Sequence, residues 1–320
     1  PEAIAEPNLP TLIQSLEACP KRVVAAIGGV CMGGGFELAM GADYRIAAPA
    51  ARLALPEVKL GLLPGAGGTQ RLPRAVGLQK SLDFILAGEP VGPQEFLGTP
   101  LIDRIAEGDL RTEAVAFARQ LAADKLPARR LRDLEVSGLD HEVVLETVRK
   151  RTAALAAHYP AQGLIIDCHE AAVSQPFDQA LRFERQCYLK LRETPTHRAL
   201  RHAFAAERDC RKIPDVPADT RTRPIDCVAV VGAGTMGRGI AQIAVTGGFR
   251  VKMYDAQDGA AEKAREFITR MINRAAEKGT MSEDEAALAN GRLELVDDLE
   301  DFADCGMVVE AIVENLDVKR

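Results

Sequence analysis

Apolar runs bounded by glycine alternate along this chain with stretches of helical periodicity. Residues 22–27 are β-branched and apolar enough to form a buried strand, and two further strands are predicted at 227–231 and 249–254. A helix is expected at 237–245, between the last two strands. From residue 140 to residue 212 apolar side chains recur at helical spacing with charges between them, which predicts several amphipathic helices. The pattern as a whole indicates an α/β fold.

Composition and charge narrow the class of protein. The chain has 320 residues, 47% of them hydrophobic, which is ample for two cores. Its 40 basic and 46 acidic residues give a net charge of -6, which argues against a nucleic-acid binder. The seven cysteines show no paired metal-ligand spacing, so we expect reduced thiols and no metal site. The least charged run, 23–36, is too short and glycine-rich for a membrane span, and we expect no signal peptide.

The first candidate site combines a glycine run with two glutamates. Three glycines at 33–35 precede a short helix, whose first N–H groups carry the positive end of the helix dipole. Such groups stabilise an oxygen that gains negative charge, for example a thioester carbonyl becoming an enolate. Glu37 lies just inside this helix, and Glu57 follows twenty residues later. One carboxylate could deprotonate a water molecule while the other protonates the α-carbon, which together add water across an activated double bond.

Two longer strings support this interpretation. The segments VVAAIGGVCMGGGFELAM (23–40) and LPEVKLGLLPGAGGTQRL (55–72) resemble the enoyl-CoA hydratase, or crotonase, family. The resemblance implies that the amide of Gly34 binds the thioester oxygen of an acyl-CoA. It also implies that Glu37 holds the attacking water and that Glu57 protonates the α-carbon. Members of the family that hydrate keep both glutamates, and both are present.

A second glycine-rich stretch, at 63–70, calls for a separate interpretation. It lacks the Gly-Lys-Ser/Thr ending that a P-loop needs for its phosphate and magnesium contacts. We interpret it as a tight turn that shapes the pocket. The resemblance to the hydratase family implies that the amide of Gly65 helps to position the water.

The second candidate site is a dinucleotide fingerprint. A predicted strand is followed by Gly232, Gly234 and Gly237, and then by a helix and another strand. The first glycine permits the tight turn, the second lets the backbone approach a pyrophosphate, and the third allows close packing of helix and strand. Asp255 ends the second strand, where a carboxylate can bond the ribose hydroxyls, and no arginine follows it to accept a 2′-phosphate. NAD is therefore favoured over NADP as the cofactor.

This half of the chain resembles a second family. The segments VVGAGTMGRGIA (230–241) and DCGMVVEAIVENLDVK (304–319) are similar to 3-hydroxyacyl-CoA dehydrogenase. Besides the three glycines, the resemblance implies that the NAD site is lined by Met236, Asp255, Val313, Glu314 and Lys319.

The helical stretch between the sites resembles the connecting helices of multifunctional β-oxidation enzymes, which carry both activities on one polypeptide. We expect part of a crotonase domain at 1–125, a helical connecting region with a proline-rich linker at 126–222, and part of a Rossmann NAD-binding domain at 223–320. The family begins with strands and a second oxyanion amide that precede anything in this sequence. Its dehydrogenase histidine follows the nucleotide-binding half, whereas the histidines of this chain all lie at or before residue 202. We therefore expect a fragment that is truncated at both ends.

The implied function is a pair of consecutive reactions in fatty-acid β-oxidation: hydration of a trans-2-enoyl-CoA, then NAD-dependent oxidation of the 3-hydroxyacyl-CoA to the 3-ketoacyl-CoA. One alternative is a Δ3,Δ2-enoyl-CoA isomerase that relies chiefly on Glu57. Another is a non-catalytic scaffold that binds thiolase or associates with itself. The expected partner is an acyl-CoA thioester. The expected location is the cytoplasm in a bacterium and the peroxisome in a eukaryote.

Overall fold

The computed structural model describes residues 8–138, 140–210, 213–217 and 219–319. The chain divides into two compact units, Pro1–Ile213 and Pro214–Arg320. The described part of the proline-rich segment that starts the second unit contains neither helix nor strand up to residue 226. Among the helices in the described ranges, none is long and apolar enough to cross a membrane.

Short parallel strands and helices alternate through the first part of the first unit. In chain order its regular elements are α1 (Leu9–Glu17), β1 (Val24–Ile27), β2 (Val30–Met32), α2 (Gly34–Met40), β3 (Tyr44–Ala47), β4 (Arg52–Ala54), α3 (Gly68–Val76), α4 (Leu78–Ala87), β5 (Arg104–Ile105) and α5 (Leu110–Ala123). Short 3-10 helices lie at Pro56–Leu60, Pro93–Phe96 and Leu131–Asp133. Strands β1, β3 and β5 form one parallel sheet, and β2 and β4 form another.

An apolar core holds α2 against the segments that follow β4. Phe84 lies edge-on to both Phe36 and Phe96, with ring centroids 6.3 and 5.3 Å apart. Leu55 and Leu63, which flank the 3-10 helix Pro56–Leu60, are fully buried in the same core. Because aromatic and leucine side chains pack at close to crystal density, this core fixes the backbone around the first candidate site.

Within the described residues, four helices complete the first unit, which confirms the prediction of several helices in this region. They are α6 (His141–Ala156), α7 (Pro160–Ser174), α8 (Phe177–Arg192) and α9 (Pro195–Asp209). Proline at the first position suits α7 and α9, because the ring presets the helical φ and no N–H is lost there. Buried side chains such as Ile165, Cys187 and Leu191 join the core that contains the strands, so these helices pack onto it.

Buried histidine supports this helix packing. His169 on α7 is fully buried, and its Nδ1 donates to the carbonyl of Ile165 at 2.8 Å, which leaves Nε2 to accept from Ser81 at 2.8 Å. Burial lowers the pKa of His169 to about 4, so it stays neutral. His197 is also buried and bonds the carbonyl of Leu60 at 2.8 Å through Nδ1.

The second unit is a parallel sheet flanked by helices. Its regular elements are β6 (Cys227–Val231), α10 (Thr235–Thr246), β7 (Arg250–Tyr254), α11 (Ala260–Glu277), α12 (Glu283–Asn290), β8 (Leu293–Leu295), β9 (Met307–Glu310) and α13 (Leu316–Lys319), with a 3-10 helix at Leu299–Phe302. The strand order is β8-β7-β6-β9, so the first strand of the unit is central and the order reverses between β6 and β9. Doubly wound sheets bind ligands at the carboxyl ends of the strands beside such a reversal.

Several boundaries differ from the sequence-based expectation. Helix α10 begins at Thr235 rather than 237, because Gly234 is its N-cap and Gly237 lies within the first turn. Strand β7 starts at Arg250, one residue later than expected. Strand β1 starts at Val24, two residues later than expected.

Candidate active site

Gly33 forms the turn between β2 and α2. Its φ of 55° lies in the left-handed region that favours glycine. A Cβ at this position would lie 2.9 Å from Oε1 of Glu57, so a side chain would displace that carboxylate. Gly33 therefore permits the turn and also leaves room for Glu57 beside the start of α2. The sequence analysis treated this glycine only as one member of a run.

Gly34 is the first residue of α2. Neither its N–H nor that of Gly35 bonds a backbone acceptor within the described ranges, as is usual in the first turn of a helix. A Cβ on Gly34 would lie 2.8 Å from Cδ2 of Leu9, whereas one on Gly35 would meet nothing within 4 Å. The structure thus leaves a free donor at Gly34, and the end of the Leu9 side chain occupies the space that a Cβ would need.

Glu37 lies in the first turn of α2 and is buried. Its Oε1 accepts the N–H groups of Ala66 at 2.7 Å and Gly68 at 2.8 Å. Burial raises the pKa of Glu37, while these two amides and the positive charges of Arg71 and Arg185 oppose the rise. Hydrogen bonds donated to a carboxylate favour its charged form, so the contacts suit Glu37 to act as a base.

Glu57 lies in the 3-10 helix that follows β4, and its hydrogen bonding differs from that of Glu37. Its Oε2 is buried and has no hydrogen-bond partner among the described residues. Burial, followed by the negative charge of Glu37, raises the pKa of Glu57 to about 8. A carboxyl group with such a pKa keeps its proton near neutral pH and can donate it. The structure therefore brings Glu37 and Glu57 close enough to interact, and it gives amide donors to Glu37 while leaving one oxygen of Glu57 without a partner among the described residues.

Two residues of α8 border this site and were missed by the sequence analysis. The ring of Tyr188 covers Gly65, where a Cβ would lie 2.6 Å from Cγ of the ring. The buried carboxylate of Glu184 accepts the N–H of Gly67 at 2.7 Å. Helical spacing predicted a helix at these positions, but it could not indicate that this helix packs on a loop more than 100 residues earlier.

In the second unit, two of the three fingerprint glycines are required by close packing. Gly232 has a φ of 98°, and a Cβ on it would lie 2.8 Å from the carbonyl oxygen of Ala311. A Cβ on Gly237 would lie 1.7 Å from the carbonyl oxygen of Gly232. By contrast, a Cβ on Gly234 would meet no atom within 4 Å, so the space beside this glycine is open. The turn thus has the tight packing and the open approach that a pyrophosphate needs.

Asp255 follows β7 and lies beside this turn. Its Oδ2 accepts the N–H of Ala233 at 2.6 Å, and its Oδ1 accepts the N–H of Gln257 at 2.8 Å. The two bonds fix the carboxylate at the carboxyl end of the sheet, next to the reversal of strand order. The N–H groups of Gly234, Thr235 and Met236 have no acceptor among the described residues, and they begin α10 as the fingerprint requires.

The remaining candidate residues of this half lie on its surface. Met236 and Val313 are 68% and 65% exposed, which leaves them free to contact a ligand. The ammonium of Lys319 lies 2.8 Å from Oε2 of both Glu310 and Glu314, so these three side chains form one ion-pair group after β9. Val313 and this group follow the strand that borders the reversal, at the same edge as Asp255.

The structure also brings together two cysteines that are distant in sequence. The sulfur atoms of Cys227 and Cys305 lie 3.4 Å apart, and Asp304 offers a carboxylate within the same 4.8 Å cluster. The ammonium of Lys252 already bonds Asp304 at 2.7 Å. Burial raises the pKa of Cys305 to about 12, so its thiol stays protonated at neutral pH. A metal cation at this cluster would meet a carboxylate that is already bound to lysine and a thiol that is neutral. These groups are poor metal ligands.

Comparison with known proteins matches the two parts of the chain to two family models. Residues 1–164 match the family model for enoyl-CoA hydratase/isomerase, slightly more than half of the chain. The chain belongs to the enoyl-CoA hydratase/isomerase family. Residues 227–320 match the NAD-binding domain of 3-hydroxyacyl-CoA dehydrogenase. The expected fold class is confirmed: a crotonase-like hydratase fold is followed by a Rossmann-like dehydrogenase domain.

Several known proteins align with nearly the whole of this chain. The peroxisomal bifunctional enzyme of Pongo abelii is 33% identical over 320 residues, which cover 97% of this chain and 43% of that protein. The enzyme of the same name from Danio rerio is 35% identical over 323 residues, 98% of this chain and 44% of that protein. The fatty acid oxidation complex subunit alpha of Aliivibrio fischeri is 34% identical over 317 residues, 97% of this chain and 45% of that protein. The chain therefore spans less than half the length of these relatives.

Proposed function

We propose that this chain belongs to a bifunctional enzyme of fatty-acid β-oxidation. Its first unit would hydrate a trans-2-enoyl-CoA to the 3-hydroxyacyl-CoA, and its second unit would take part in NAD-dependent oxidation to the 3-ketoacyl-CoA. The observation that carries the proposal is the pair of buried carboxylates beside Gly34. Glu37 accepts two amide N–H groups, whereas Glu57 keeps one oxygen without a donor.

In this proposal each group has one task in the hydration. The Gly34 amide donates to the thioester oxygen and stabilises the enolate that forms when water attacks C3. Glu37, in its charged form, takes a proton from the attacking water. Glu57, in its neutral form, gives its proton to C2. The oxygen of water ends on C3 as a hydroxyl group, and a proton transfer from Glu37 to Glu57 restores the starting state.

The proposed binding of NAD is supported by the packing of the glycine turn in the second unit. Gly232, Gly234 and Gly237 leave room for a pyrophosphate at the N-terminus of α10, and Asp255 can accept hydrogen bonds from a ribose. Met236, Val313, Glu314 and Lys319 would line the rest of the site. Bound NAD would supply a hydride acceptor for the 3-hydroxy product. Asp255 would repel a 2′-phosphate, so NAD is preferred over NADP.

Two rival functions are weaker for specific reasons. A Δ3,Δ2-enoyl-CoA isomerase needs chiefly Glu57, which leaves the two amide bonds to the buried Glu37 without a purpose. A non-catalytic scaffold for thiolase or self-association needs neither glutamate. Burying two interacting carboxylates costs free energy, so keeping both favours catalysis over a scaffold.

We further propose that the hydratase part covers 1–125, the connecting helices and linker 126–222, and the nucleotide-binding part 223–320. The packing of α7 and α8 on the core of the strands supports a connecting region that is attached to the hydratase part. The relatives named above support a peroxisomal location if the protein is eukaryotic and a cytoplasmic one if it is bacterial.

A two-stage assay of the natural full-length polypeptide tests this function. With trans-2-butenoyl-CoA alone, the absorbance of the enoyl thioester is expected to fall as water adds. With NAD present, NADH is then expected to appear after a lag, and NADP in its place should give a lower rate. Conversion of a 3-enoyl-CoA without hydration of the 2-enoyl-CoA would favour the isomerase, and no turnover of either would favour the scaffold.

Replacing Gly34 by valine tests the oxyanion donor. The side chain would collide with Leu9 and block close approach to the amide, so hydration is expected to fall by ~10²–10³-fold, the usual cost of one such donor. Gly35→Ala is the matched control, because a Cβ there meets nothing within 4 Å. Rates and melting temperatures should be measured together for both variants. A loss of activity that follows the melting temperature alone would assign Gly34 a purely structural role.

A further inference from the structure

The N-terminus of α3 is held by two buried carboxylates rather than one. Gly67 is the N-cap of this helix, with a φ of 103°, and the N–H groups on either side of it, from Ala66 and Gly68, bond Glu37. The positive end of the helix dipole therefore points at the carboxylate to which we assign the deprotonation of water. The position of Glu37 depends on where this short stretch of backbone lies.

Glu184 holds the intervening amides of the same stretch. Its Oε1 accepts the N–H of Gly67 at 2.7 Å, and its Oε2 accepts the N–H of Thr69 at 3.0 Å and the hydroxyl of Thr69 at 2.5 Å. Four successive amides thus alternate between Glu37 and Glu184. Glu184 is fully buried and comes from α8, outside the residues that match the hydratase family model.

A buried carboxylate in this position is costly to maintain. Burial and then the charge of Glu37 raise the pKa of Glu184 to about 8, while Thr69, Gly67 and Arg71 oppose the rise. The titratable and charged groups that face it are Glu37 from α2, Arg71 from α3 and Cys168 from α7. A neutral side chain of similar size could fill the same space without repelling Glu37. Unlike Glu57, Glu184 has donors on both of its oxygens, from the Gly67 and Thr69 amides and the Thr69 hydroxyl. These bonds favour the charged form, so we assign Glu184 a carboxylate although burial raises its pKa.

We propose that Glu184 is a positioning residue of the hydration site. By fixing the amides of Gly67 and Thr69, it places the amides of Ala66 and Gly68 where they hold Glu37 in its charged form. Glu184 does not act on the substrate itself, because its carboxylate is buried and both of its oxygens are occupied by α3. The inference rests on the proposed hydratase function.

Glu184→Gln is the direct test, because glutamine has nearly the same shape but only one acceptor oxygen. Its NH2 group would face an N–H donor, so the start of α3 is expected to move. The kcat for hydration should fall at least ~10-fold while KM changes little, since sub-ångström misplacement of a reacting group is costly. The acid limb of the pH profile should move to higher pH, because Glu37 loses bonds that favour its charged form. A shift to lower pH would mean that Glu184 acts only through its negative charge, and would overturn the proposal.

Two more variants separate positioning from folding. Leu191→Val removes packing from a buried position on the same helix, so it should lower the melting temperature and leave kcat and the acid limb unchanged. Thr69→Val removes one donor to Glu184 and should shift the acid limb in the same direction as Glu184→Gln, but less. If Glu184→Gln does not fold, Thr69→Val becomes the test of the positioning role. An acid limb of the pH profile that is unchanged in Thr69→Val would then overturn the proposal. Equal losses of kcat in Leu191→Val and Glu184→Gln at equal stability would overturn it as well.

Hydrogen exchange separates this inference from the proposed function. Glu184→Gln should speed exchange of the Ala66 and Gly68 amides, relative to the amides of α5, whether or not the protein hydrates an enoyl-CoA. If the unaltered protein fails to hydrate, the proposed function fails while the exchange result still reports on the contact. If it hydrates and exchange at both amides is unchanged in the variant, the positioning role is excluded.

Discussion

Glu57→Gln and Glu37→Gln should each lower hydration of trans-2-butenoyl-CoA by at least ~10²-fold in the natural full-length polypeptide, because each removes one of the two proton transfers. Glutamine keeps the shape of the side chain, so both variants should stay folded. Glutamine cannot ionise in its buried position, so neither should have a lower melting temperature at neutral pH. The measurement is kcat/KM by loss of enoyl-thioester absorbance, together with thermal unfolding. NAD binding should be unchanged in both.

The pH profile of the unaltered enzyme gives a second check on the same assignment. Glu57 must carry its proton to protonate C2, and its pKa is raised to about 8, so kcat/KM should fall as pH rises through that value. Glu37 must be charged, so kcat/KM should also fall at acid pH as Glu37 gains a proton. The residual activity of Glu57→Gln should lack the alkaline limb. If Glu37→Gln or Glu57→Gln hydrates at close to the normal rate, the proton-transfer role assigned to the replaced glutamate is wrong.

The two glutamates also separate the rival reactions. Hydration needs both, whereas isomerisation of a 3-enoyl-CoA moves one proton between carbon atoms and needs chiefly Glu57. If Glu37→Gln loses hydration and keeps isomerisation, the site performs both and Glu37 serves only the first. If Glu37 proves dispensable for all turnover, the isomerase becomes the better description.

The parts of the site that could be predicted from sequence are those encoded by short segments. The first site is built from consecutive elements: a glycine turn, the helix that contains Glu37, and the segment that contains Glu57 soon after it. The proximity of these groups therefore follows from local structure. The same holds for Gly232 and Gly237, whose packing is decided within a few residues. The boundaries of the strands were less predictable, since β1 pairs with β3 only from Val24 onward.

The parts that could not be predicted depend on contacts between distant segments. Glu184 and Tyr188 lie more than 100 residues from the loop they contact, and periodicity alone does not indicate which turn of α8 faces it. Cys227 and Cys305 are 78 residues apart and meet because β6 and β9 are neighbours in the sheet. The tight fit at Gly33 also depends on where Glu57 lies in three dimensions.

Gly237→Ala is expected to abolish or greatly weaken NAD binding. The added Cβ would lie 1.7 Å from the carbonyl oxygen of Gly232, a backbone atom that no side-chain rotation can move away. Overpacking of this kind costs ~1–3 kcal/mol or more, and each 1.4 kcal/mol corresponds to a tenfold change in affinity. The turn must therefore open, which carries its amides away from the pyrophosphate. The dissociation constant for NAD should rise at least ~10-fold, measured by calorimetry on the natural full-length polypeptide.

Gly239→Ala is the matched control for this prediction. It lies on the same helix two residues later, where a Cβ meets nothing within 4 Å, and alanine favours helix by ~1 kcal/mol over glycine. Its dissociation constant for NAD should equal that of the unaltered protein, and its melting temperature should not fall. Hydration of the enoyl-CoA should be unchanged in both variants, because the first unit has its own core. Normal NAD affinity in Gly237→Ala would show that this turn does not bind the pyrophosphate, and the nucleotide half of the proposed function would then be wrong.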